Sequence, residues 1–390
     1  MDNLKEIMQK ENFVYPDSTL PNIIDVVRTI YTHCGTKESF QINDQIKNII
    51  PNKKNILFIL VDGMGSNLID NLPDTSILKS HRLLDINTVF PTTTGCVLPS
   101  IAMAKYPATH GLYGWYGYNH DLKLNFKTLP YLNRDTLEPL TISPNEIFKY
   151  PSIMDNLSRR THAIFPENLV DSVYSNYVAS ENKRKSYSNY ECIPPMINNL
   201  LKESPENFIY LYISQVDSKE HKLGPYSKET KEELSKVELL IENIINTVNS
   251  NDFLVVITAD HGQLTIHEEV TMDFDKYNKY NKYFYALPTI DFGTASYFVK
   301  KPYQKQFIEE FTKDYKNKMY LFSSDELYDQ NFFGNEKTKE GRSGLGEYIS
   351  ICVPGVVFVN DCILKTLNIK GNHTGLTPEE IKIPLIVIEK

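Results

Sequence analysis

The stretch Asn55–Gly65 reads NILFILVDGMG, in which a continuous apolar run is followed at once by Asp62 and a glycine-containing turn. A short apolar run without polar alternation is typical of a strand buried on both faces of a parallel sheet. Three later runs have the same character: Phe208–Ile213 (FIYLYI), Phe253–Thr258 (FLVVIT) and Ile383–Ile388 (IPLIVI). Together the four runs predict the core of one mainly parallel sheet.

Helical patterns lie between these runs. Ser227–Val248 places apolar residues at helical spacing and leaves a charged face. Pro99–Lys105 predicts a short helix after a threonine-rich turn. Alternating strands and helices predict an α/β fold with a mainly parallel central sheet sandwiched by helices.

The chain length leaves room for a second unit, because 390 residues allow one large domain or a core with an inserted cap. We predict a catalytic α/β core of residues 1–263 plus 346–390. Residues 264–345, which are rich in Tyr, Lys and Phe, are the predicted smaller cap, with candidate strands at Ser296–Val299 and Tyr320–Phe322. An ordinary surface excursion of the core is the competing interpretation.

Polar side chains of the metal-binding type follow three of the predicted strands. In open α/β sheets, ligands bind beyond the carboxyl ends of the strands, and Asp and His from several segments would meet at that edge. Asp217 and His221 would also share one face of a helical turn. The full set is Asp62, Asp217, His221, Asp260, His261 and His373. Taken singly, each has a plain alternative, such as a turn aspartate, an exposed polar pair or a solvated loop histidine.

This ligand chemistry predicts two divalent cations. Carboxylate oxygens and imidazole nitrogens suit Zn2+, with Mn2+ or Fe as alternatives. Two ions roughly 4 Å apart can hold both the attacking and the leaving oxygen of an in-line displacement. The set therefore indicates a two-metal hydrolase of phosphate esters.

A candidate nucleophile lies in FPTTTG, residues 90–95, where three threonine hydroxyls precede a predicted helix start. The N-terminus of a helix presents free N–H groups and the positive end of the dipole, which suit phosphate oxygens. The alternative is that one threonine merely caps the helix. Spacing alone leaves open which of Thr92, Thr93 and Thr94 would react.

Composition narrows the choice of partner and compartment. A net charge of −8 and a pI near 5.7 argue against a broad cationic face for duplex nucleic acid, whereas a small phosphorylated ligand remains compatible.

The five cysteines are scattered and form no CxxC pair, which argues against a disulfide framework or a cysteine zinc site. No secretory h-region and no membrane-length apolar stretch is visible, so we expect a cytoplasmic protein. The oligomeric state is left open.

Several motifs in their order resemble the nucleotide pyrophosphatase/phosphodiesterase branch, of bacterial type, of the alkaline phosphatase superfamily. The similarity runs from about Asn55 to Lys390. The similar stretches are ILFILVDGMG, FPTTTGCVLPSIAMAKYPATHGLYGW, ISQVDSKEH, VVITADHGQ and GNHTGLTPEEIKIPLIV, with weaker likeness in FSSDELYDQNFFG and GEYISICVPGVVFV.

The resemblance implies a role for each candidate residue. Thr94, as the last hydroxyl of the turn, would be the nucleophile and would form a phospho-threonine intermediate. One metal would be held by Asp217, His221 and His373. The other would be held by Asp62, Asp260 and His261, with the oxygen of Thr94 as an added ligand. The backbone N–H near Thr94 or Gly95 would hold developing charge.

The same resemblance implies a small, nucleotide-like phosphorylated substrate, either a phosphodiester or a nucleotide pyrophosphate. Trp115 stands where eukaryotic-type members of the branch place an Asn, and with Tyr118 it would stack on a base or line a leaving-group pocket; simple packing of the cleft wall is the alternative. No Arg accompanies the motifs, which favours diesters over monoester dianions. The rival functions are a phosphonate hydrolase and a phosphomonoesterase or phosphomutase on the same fold.

Overall fold

The computed structural model describes residues 3–271, 274–359 and 368–390; for residues 274–277 only the backbone is described. Cys362 lies outside the described residues, and the other four cysteines are unpaired. The described strands are, in chain order, β1 Asn55–Val61, β2 Arg82–Asn87, β3 Tyr116–Asn119, β4 Leu124–Lys127, β5 Leu132–Asn133, β6 Arg160–Pro166, β7 Arg184–Tyr187, β8 Asn207–Ile213, β9 Phe253–Thr258, β10 Leu264–Thr265, β11 Glu268–Thr271, β12 Thr289–Ile290, β13 Thr294–Tyr297, β14 Met319–Ser323, β15 Tyr348–Cys352, β16 Val356–Val359, β17 Gly371–Asn372 and β18 Lys382–Glu389.

Helices connect most of these strands. They are α1 Leu4–Lys10, α2 Ile23–His33, α3 Asp44–Ile49, α4 Ser66–Asp70, α5 Ile77–Ser80, α6 Thr94–Met103, α7 Pro107–His110, α8 Val173–Val178, α9 Ile193–Leu200, α10 Gln215–Leu223, α11 Lys228–Thr247, α12 Phe274–Asn281, α13 Gln304–Asp314, α14 Ser324–Asp329, α15 Lys339–Ser343 and α16 Pro378–Ile381. Among the described helices, none combines the length and the apolar character that crossing a membrane requires.

The larger sheet of the core has the strand order β2-β18-β9-β1-β8-β6-β7. Strand β1 lies between β8 and β9 and is parallel to both, and all three are buried along their whole length. Strand β8 is parallel to β6, and β6 to β7. The parallel arrangement predicted for the first three apolar runs is therefore confirmed.

The last predicted strand runs the other way. Strand β18 pairs antiparallel with both β9 and β2, so the expectation that it belongs to the parallel set is wrong. Apolar character reports burial on both faces but carries no information about strand direction. The reversal matters for the site, because the chain just before β18 now lies at the same edge as the carboxyl ends of β1, β8 and β9.

The helix that follows the threonine-rich turn begins earlier than Pro99. The carbonyl of Thr93 accepts hydrogen bonds from the N–H groups of Cys96 (2.8 Å) and Val97 (2.9 Å), so α6 starts at Thr94. Proline favours a first helical turn, but Pro99 lies in the helix interior instead. The predicted helix Ser227–Val248 is observed as α11, whose N-cap is Ser227.

A second sheet is antiparallel and has the order β14-β15-β13-β12-β3-β4-β5. The predicted strands at Ser296–Val299 and Tyr320–Phe322 overlap β13 and β14. Their neighbours β3, β4, β5 and β15 come from outside residues 264–345. The division of the chain into a core and a cap at these boundaries stays a prediction.

Candidate active site

The turn after β1 packs closely on α10, the helix that follows β8. This contact holds the residues after the two strands next to each other. The N–H of Asp217 donates to the carbonyl of Asp62 at 3.1 Å. Gly63 has a φ of 79°, and a Cβ at this position would lie 2.9 Å from the Cα of Asp217. Only glycine permits both the left-handed backbone and this close approach. The VDGMG turn therefore brings Asp62 and the start of α10 together.

One side-chain group surrounds the imidazole of His261. Its Nε2 lies 3.5 Å from Asp62 Oδ1, 3.4 Å from Asp260 Oδ2 and 3.1 Å from Thr94 Oγ1. His261 and Asp260 are fully buried and Asp62 is nearly so. The ligand atoms of Asp62, Asp260 and His261 lie within 4.8 Å of one another.

A second group surrounds Asp217. Its Oδ1 lies 3.3 Å from His221 Nε2 and 3.9 Å from His373 Nε2. Asp217, His261 and His373 offer ligand atoms within 4.8 Å of one another, and the rings of His261 and His373 are stacked with centroids 3.8 Å apart. His261 therefore lies beside both groups, whereas the resemblance assigned it to one.

The backbone orients each of the three histidines. The Nδ1 atoms hydrogen-bond to carbonyl oxygens of Gly371 (2.9 Å, from His221), Thr92 (2.8 Å, from His373) and Gly262 (3.2 Å, from His261). An imidazole that donates Nδ1–H to a carbonyl presents an unprotonated Nε2, which is how proteins commonly prepare a histidine to bind a metal. Each Nε2 here faces carboxylate oxygens.

Asp62 and Asp260 are buried close to each other, so the ionised form of both carboxylates is unfavourable unless a cation is bound. Burial, together with the neighbouring Asp260 and Asp217, raises the pKa of Asp62 well above its usual range. Burial also raises the pKa of Asp260, which His261 partly offsets. Within the described part of the chain, Asp62 Oδ1 and Asp260 Oδ2 are buried and accept no hydrogen bond. Unpaired buried oxygens facing an imidazole nitrogen are the arrangement that a divalent cation would satisfy.

In the second group, the effect of burial on the pKa of the carboxylate is outweighed by the neighbouring histidines. Burial alone would raise the pKa of Asp217, but His221, His373 and His261 lower it below its usual range. Burial lowers the pKa of His221, yet Asp217 and the carbonyl of Gly371 raise it to about 9. The residues present thus fit two divalent cations, with Asp and His donors of the type that Zn2+ or Mn2+ accepts.

The three threonine hydroxyls of the turn point to different partners. The hydroxyl of Thr92 donates to the carbonyl of Gly375 at 3.0 Å, and that of Thr93 donates to Asp291 at 3.1 Å. The hydroxyl of Thr94 is the one that meets His261. Spacing left open which of the three threonines would react. Their different hydrogen-bond partners favour Thr94, because its hydroxyl contacts a residue of the Asp/His groups.

Gly95 follows at a point of close contact with the second sheet. A Cβ on Gly95 would lie 2.6 Å from the carbonyl carbon of Gly114 and 2.7 Å from the backbone nitrogen of Trp115. The backbone of Trp115, a half-buried residue, therefore lies beside the start of α6. The ring of Tyr118 instead packs against His120, Tyr285 and Phe298. The structure shows no described ring contact between Tyr118 and the Asp/His groups.

Sequence reasoning missed several residues that hold the candidate ligands. Gln263 donates from Nε2 to Asp217 Oδ1 at 2.6 Å, and the hydroxyl of Tyr212 donates to Asp62 Oδ2. Asp291 lies on the turn between β12 and β13 and contacts the threonine turn. Gln263 is the last residue of the stretch VVITADHGQ and Tyr212 lies in the run FIYLYI, so both could have been suspected from position. Asp291 stands alone in PTIDFG and carries no such signal.

Replacing a candidate ligand should weaken metal binding directly. We expect His373→Ala and Asp217→Asn each to weaken the affinity for Zn2+ or Mn2+ more than about tenfold, because loss of an outer hydrogen-bond partner alone costs roughly 10- to 100-fold. Metal content after dialysis and calorimetric titration would measure this. His267→Ala is the matched control, since His267 is exposed and outside both groups. Unchanged metal content in both ligand variants would contradict the assignment.

The chain is similar to known proteins in sequence and in fold. The model of the type I phosphodiesterase / nucleotide pyrophosphatase family matches residues 56–360. Among curated proteins, ectonucleotide pyrophosphatase/phosphodiesterase family member 7 of mouse (Mus musculus) is 21% identical over 136 residues, which is 33% of this chain and 31% of that protein. The rat (Rattus norvegicus) counterpart is 20% identical over 131 residues, 32% of this chain and 30% of its own length. The matched part therefore spans about a third of these relatives.

Solved structures show the same fold. An inactive variant of murine ectonucleotide pyrophosphatase / phosphodiesterase 5 in complex with AMP has a TM-score of 0.65 at 15% identity, covering 85% of this chain and 87% of that one. Phosphonoacetate hydrolase from Sinorhizobium meliloti in complex with phosphonoacetate has a TM-score of 0.64 at 14% identity, covering 86% and 90%. At these identities the likeness establishes the fold.

Proposed function

Because the chain belongs to the type I phosphodiesterase / nucleotide pyrophosphatase family, a branch of the alkaline phosphatase superfamily, we propose that it is a divalent-metal-dependent phosphohydrolase. Its proposed substrates are phosphodiesters or nucleotide pyrophosphates, and Thr94 is its proposed nucleophile. The observation that carries the proposal is the position of the Thr94 hydroxyl, 3.1 Å from His261 Nε2 at the first residue of α6. His261 in turn lies beside both Asp/His groups.

In the proposed reaction, Thr94 Oγ1 forms a bond to phosphorus while the bond from phosphorus to the leaving oxygen breaks on the opposite side. The hydroxyl proton passes to solvent, and the leaving oxygen takes up a proton. The product is a phospho-threonine that still carries the remaining ester or nucleotide group of the substrate, and water then hydrolyses it, which releases that group as a monoester and restores the hydroxyl. When bound, the two cations would supply positive charge for the phosphate oxygens and would lower the pKa of the threonine hydroxyl. Asp62, Asp260 and His261 would hold one, and Asp217, His221 and His373 the other.

The start of α6 supports the same substrate position. Among the described residues, the N–H groups of Thr94 and Gly95 have no hydrogen-bond partner, as expected for the first turn of a helix. Both groups lie beside the proposed nucleophile, so they can donate to oxygens of a bound phosphate. The backbone of Trp115 lies beside Gly95, and we propose that its side chain lines the leaving-group pocket. The described ring contacts of Tyr118 are with His120, Tyr285 and Phe298, so we assign it no direct part in catalysis.

The positions of the arginines favour a phosphodiester substrate over the dianion of a phosphate monoester. Each of them has partners away from the Asp/His groups: Arg28 with Glu336, Arg82 with Asp70, Arg134 with the carbonyl of Pro288, Arg159 with the carbonyl of Lys53, Arg160 with Glu203, Arg184 with the carbonyl of Ala179 and Arg342 with Asp325. A guanidinium is the usual partner of a phosphate dianion. A diester carries one negative charge fewer and needs no such partner.

A substrate panel tests this proposal. Protein loaded with Zn2+ or Mn2+ would be offered bis-p-nitrophenyl phosphate, a dinucleotide, a dinucleotide pyrophosphate such as FAD, p-nitrophenyl phosphate and phosphonoacetate. We expect kcat/KM for the best diester or pyrophosphate to exceed that for the monoester by at least about tenfold, or ~1.4 kcal/mol. Preferential cleavage of the carbon–phosphorus bond would support the second candidate, a phosphonate hydrolase, which the likeness to phosphonoacetate hydrolase favours.

A further inference from the structure

Asp291 reaches the threonine turn from the second sheet. It follows Ile290, whose φ of 78° is unusual for a β-branched residue, and it lies on the turn between β12 and β13. One carboxylate oxygen accepts the hydroxyl of Thr93 at 3.1 Å and the other accepts the N–H of Phe292 at 3.0 Å. The side chain is buried. Both oxygens of Asp291 are thus held in place, one of them by the residue before Thr94.

Thr93 is the N-cap of α6 but does not behave as one. Its backbone is extended, with φ −139° and ψ 142°, yet its side chain makes no capping hydrogen bond. A threonine at this position ordinarily accepts from an N–H of the first turn. Elsewhere in the chain the N-cap side chains of α2, α8 and α11 do so, whereas Ser214 at α10 and Ser323 at α14 do not. At α6, Asp291 accepts the hydrogen bond that the hydroxyl of Thr93 donates.

We infer that Asp291 is a positioning residue that withdraws the Thr93 hydroxyl from the first turn of α6 and so keeps the N–H of Gly95 free, beside that of Thr94, for phosphate oxygens. The inference rests on the proposed function. A hydroxyl that capped Gly95 or Cys96 would occupy a donor and place its own oxygen where a phosphate oxygen has to lie. A carboxylate holds a hydroxyl more firmly than a neutral acceptor does, and its fixed second oxygen prevents it from turning away.

The test compares Asp291→Ala, Thr93→Val and the double variant, all loaded with metal. The readouts are kcat/KM for a diester and the affinity for inorganic phosphate measured by calorimetry. We expect Asp291→Ala to lower both by roughly 10- to 100-fold, since removing one donor to a developing oxyanion costs about 10²- to 10³-fold and a competing cap removes it in part. Adding Thr93→Val should restore both to within about threefold of the Thr93→Val single variant, because no hydroxyl remains to cap the helix.

Two further variants act as controls. Asp291→Asn keeps an acceptor for Thr93 and should stay within about threefold of the unmodified protein. Asp325→Ala removes an exposed aspartate of α14 and should change neither readout. A double variant as impaired as Asp291→Ala would overturn the inference, because a purely structural role is not rescued by removing a hydroxyl. If Asp291→Ala does not fold, the test rests on Thr93→Val, which should bind phosphate as the unmodified protein does because it lacks the competing hydroxyl. A loss of phosphate affinity of tenfold or more in Thr93→Val would overturn the inference.

The outcomes also separate this inference from the proposed function. If the unmodified protein cleaves no phosphorus ester but the variants change phosphate affinity as stated, the proposed function fails and the role of Asp291 stands. If the unmodified protein cleaves diesters while phosphate affinity and kcat/KM are the same in all variants, the proposed function stands and the role of Asp291 fails.

Discussion

Thr94→Ala is expected to lower kcat for a diester by about 10⁴-fold or more while leaving the metal content unchanged. Removing the nucleophile of an enzyme that forms a covalent intermediate has an effect of this order, because the remaining donors can only assist direct attack by water. The metal content should persist because Asp62, Asp260 and His261 supply a ligand set without the threonine. Turnover of bis-p-nitrophenyl phosphate and elemental analysis of the same sample would measure both quantities.

Matched variants in the same turn sharpen this prediction. Thr94→Ser keeps a hydroxyl and should retain measurable turnover, whereas Thr92→Ser and Thr93→Ser keep their own hydrogen bonds and should remain close to the unmodified protein. Rapid acid quenching during turnover of bis-p-nitrophenyl phosphate, followed by mass spectrometry, should find one p-nitrophenyl phosphoryl group on Thr94 in the unmodified protein and none in Thr94→Ala. Full activity in Thr94→Ala, or a phosphoryl group on a different residue, would show that Thr94 is not the nucleophile.

The core of the fold could be predicted from the sequence because burial on both faces leaves a direct record in the residues. The runs that became β1, β8 and β9 contain almost no polar residue, and such runs fit a sheet covered by helices on both sides. The direction of a strand leaves no comparable record in its residues, so the prediction of a parallel β18 was wrong. The second sheet was harder still, because β3 and β12 pair across more than 150 residues of chain, and no local pattern encodes such a pairing.

The candidate site was predictable to the extent that general rules place residues at strand ends. Asp62 and Asp260 directly follow apolar runs, so their convergence follows from the sheet alone. His373 lies in a loop without periodicity, so no rule about strand ends places it, and a solvated loop histidine was its plain alternative. Asp291 was missed because its relevance depends on a contact with Thr93 from another sheet. The start of α6 was misplaced because Pro99 looks like a first-turn proline, although the carbonyl of Thr93 begins the helix.

Removing the bound cations is expected to cost the protein nearly all of its activity. Dialysis against a strong chelator should abolish turnover, with a loss of about 10³-fold or more, since both the nucleophile and the phosphate oxygens would lose the charge that stabilises them. Adding back Zn2+ or Mn2+ should restore activity, and the better of the two identifies the preferred ion. Metal at 100 times its dissociation constant adds about 2.7 kcal/mol to the free energy of unfolding, or roughly 3 °C in Tm for 390 residues. Active protein that contains no transition metal after such treatment would refute the proposal.

The stabilisation by metal should grow as the pH rises from 6 to 8. In the metal-free protein, burial and neighbouring carboxylates raise the pKa of Asp62 and Asp260 above the ordinary value of 3.8, so the folded chain becomes less stable as the pH rises through their raised pKa values. The pKa of His221 is raised to about 9 by Asp217, and that stabilisation is complete below the ordinary value of 6.5 and is lost as the pH rises through about 9. A bound cation replaces these protons, so its affinity increases as they become easier to remove. Thermal unfolding with and without Zn2+ at pH 6 and pH 8, with His267→Ala as the control, would measure the difference in Tm. A difference that is constant or shrinks towards pH 8 would contradict cation binding by Asp62, Asp260 and His221.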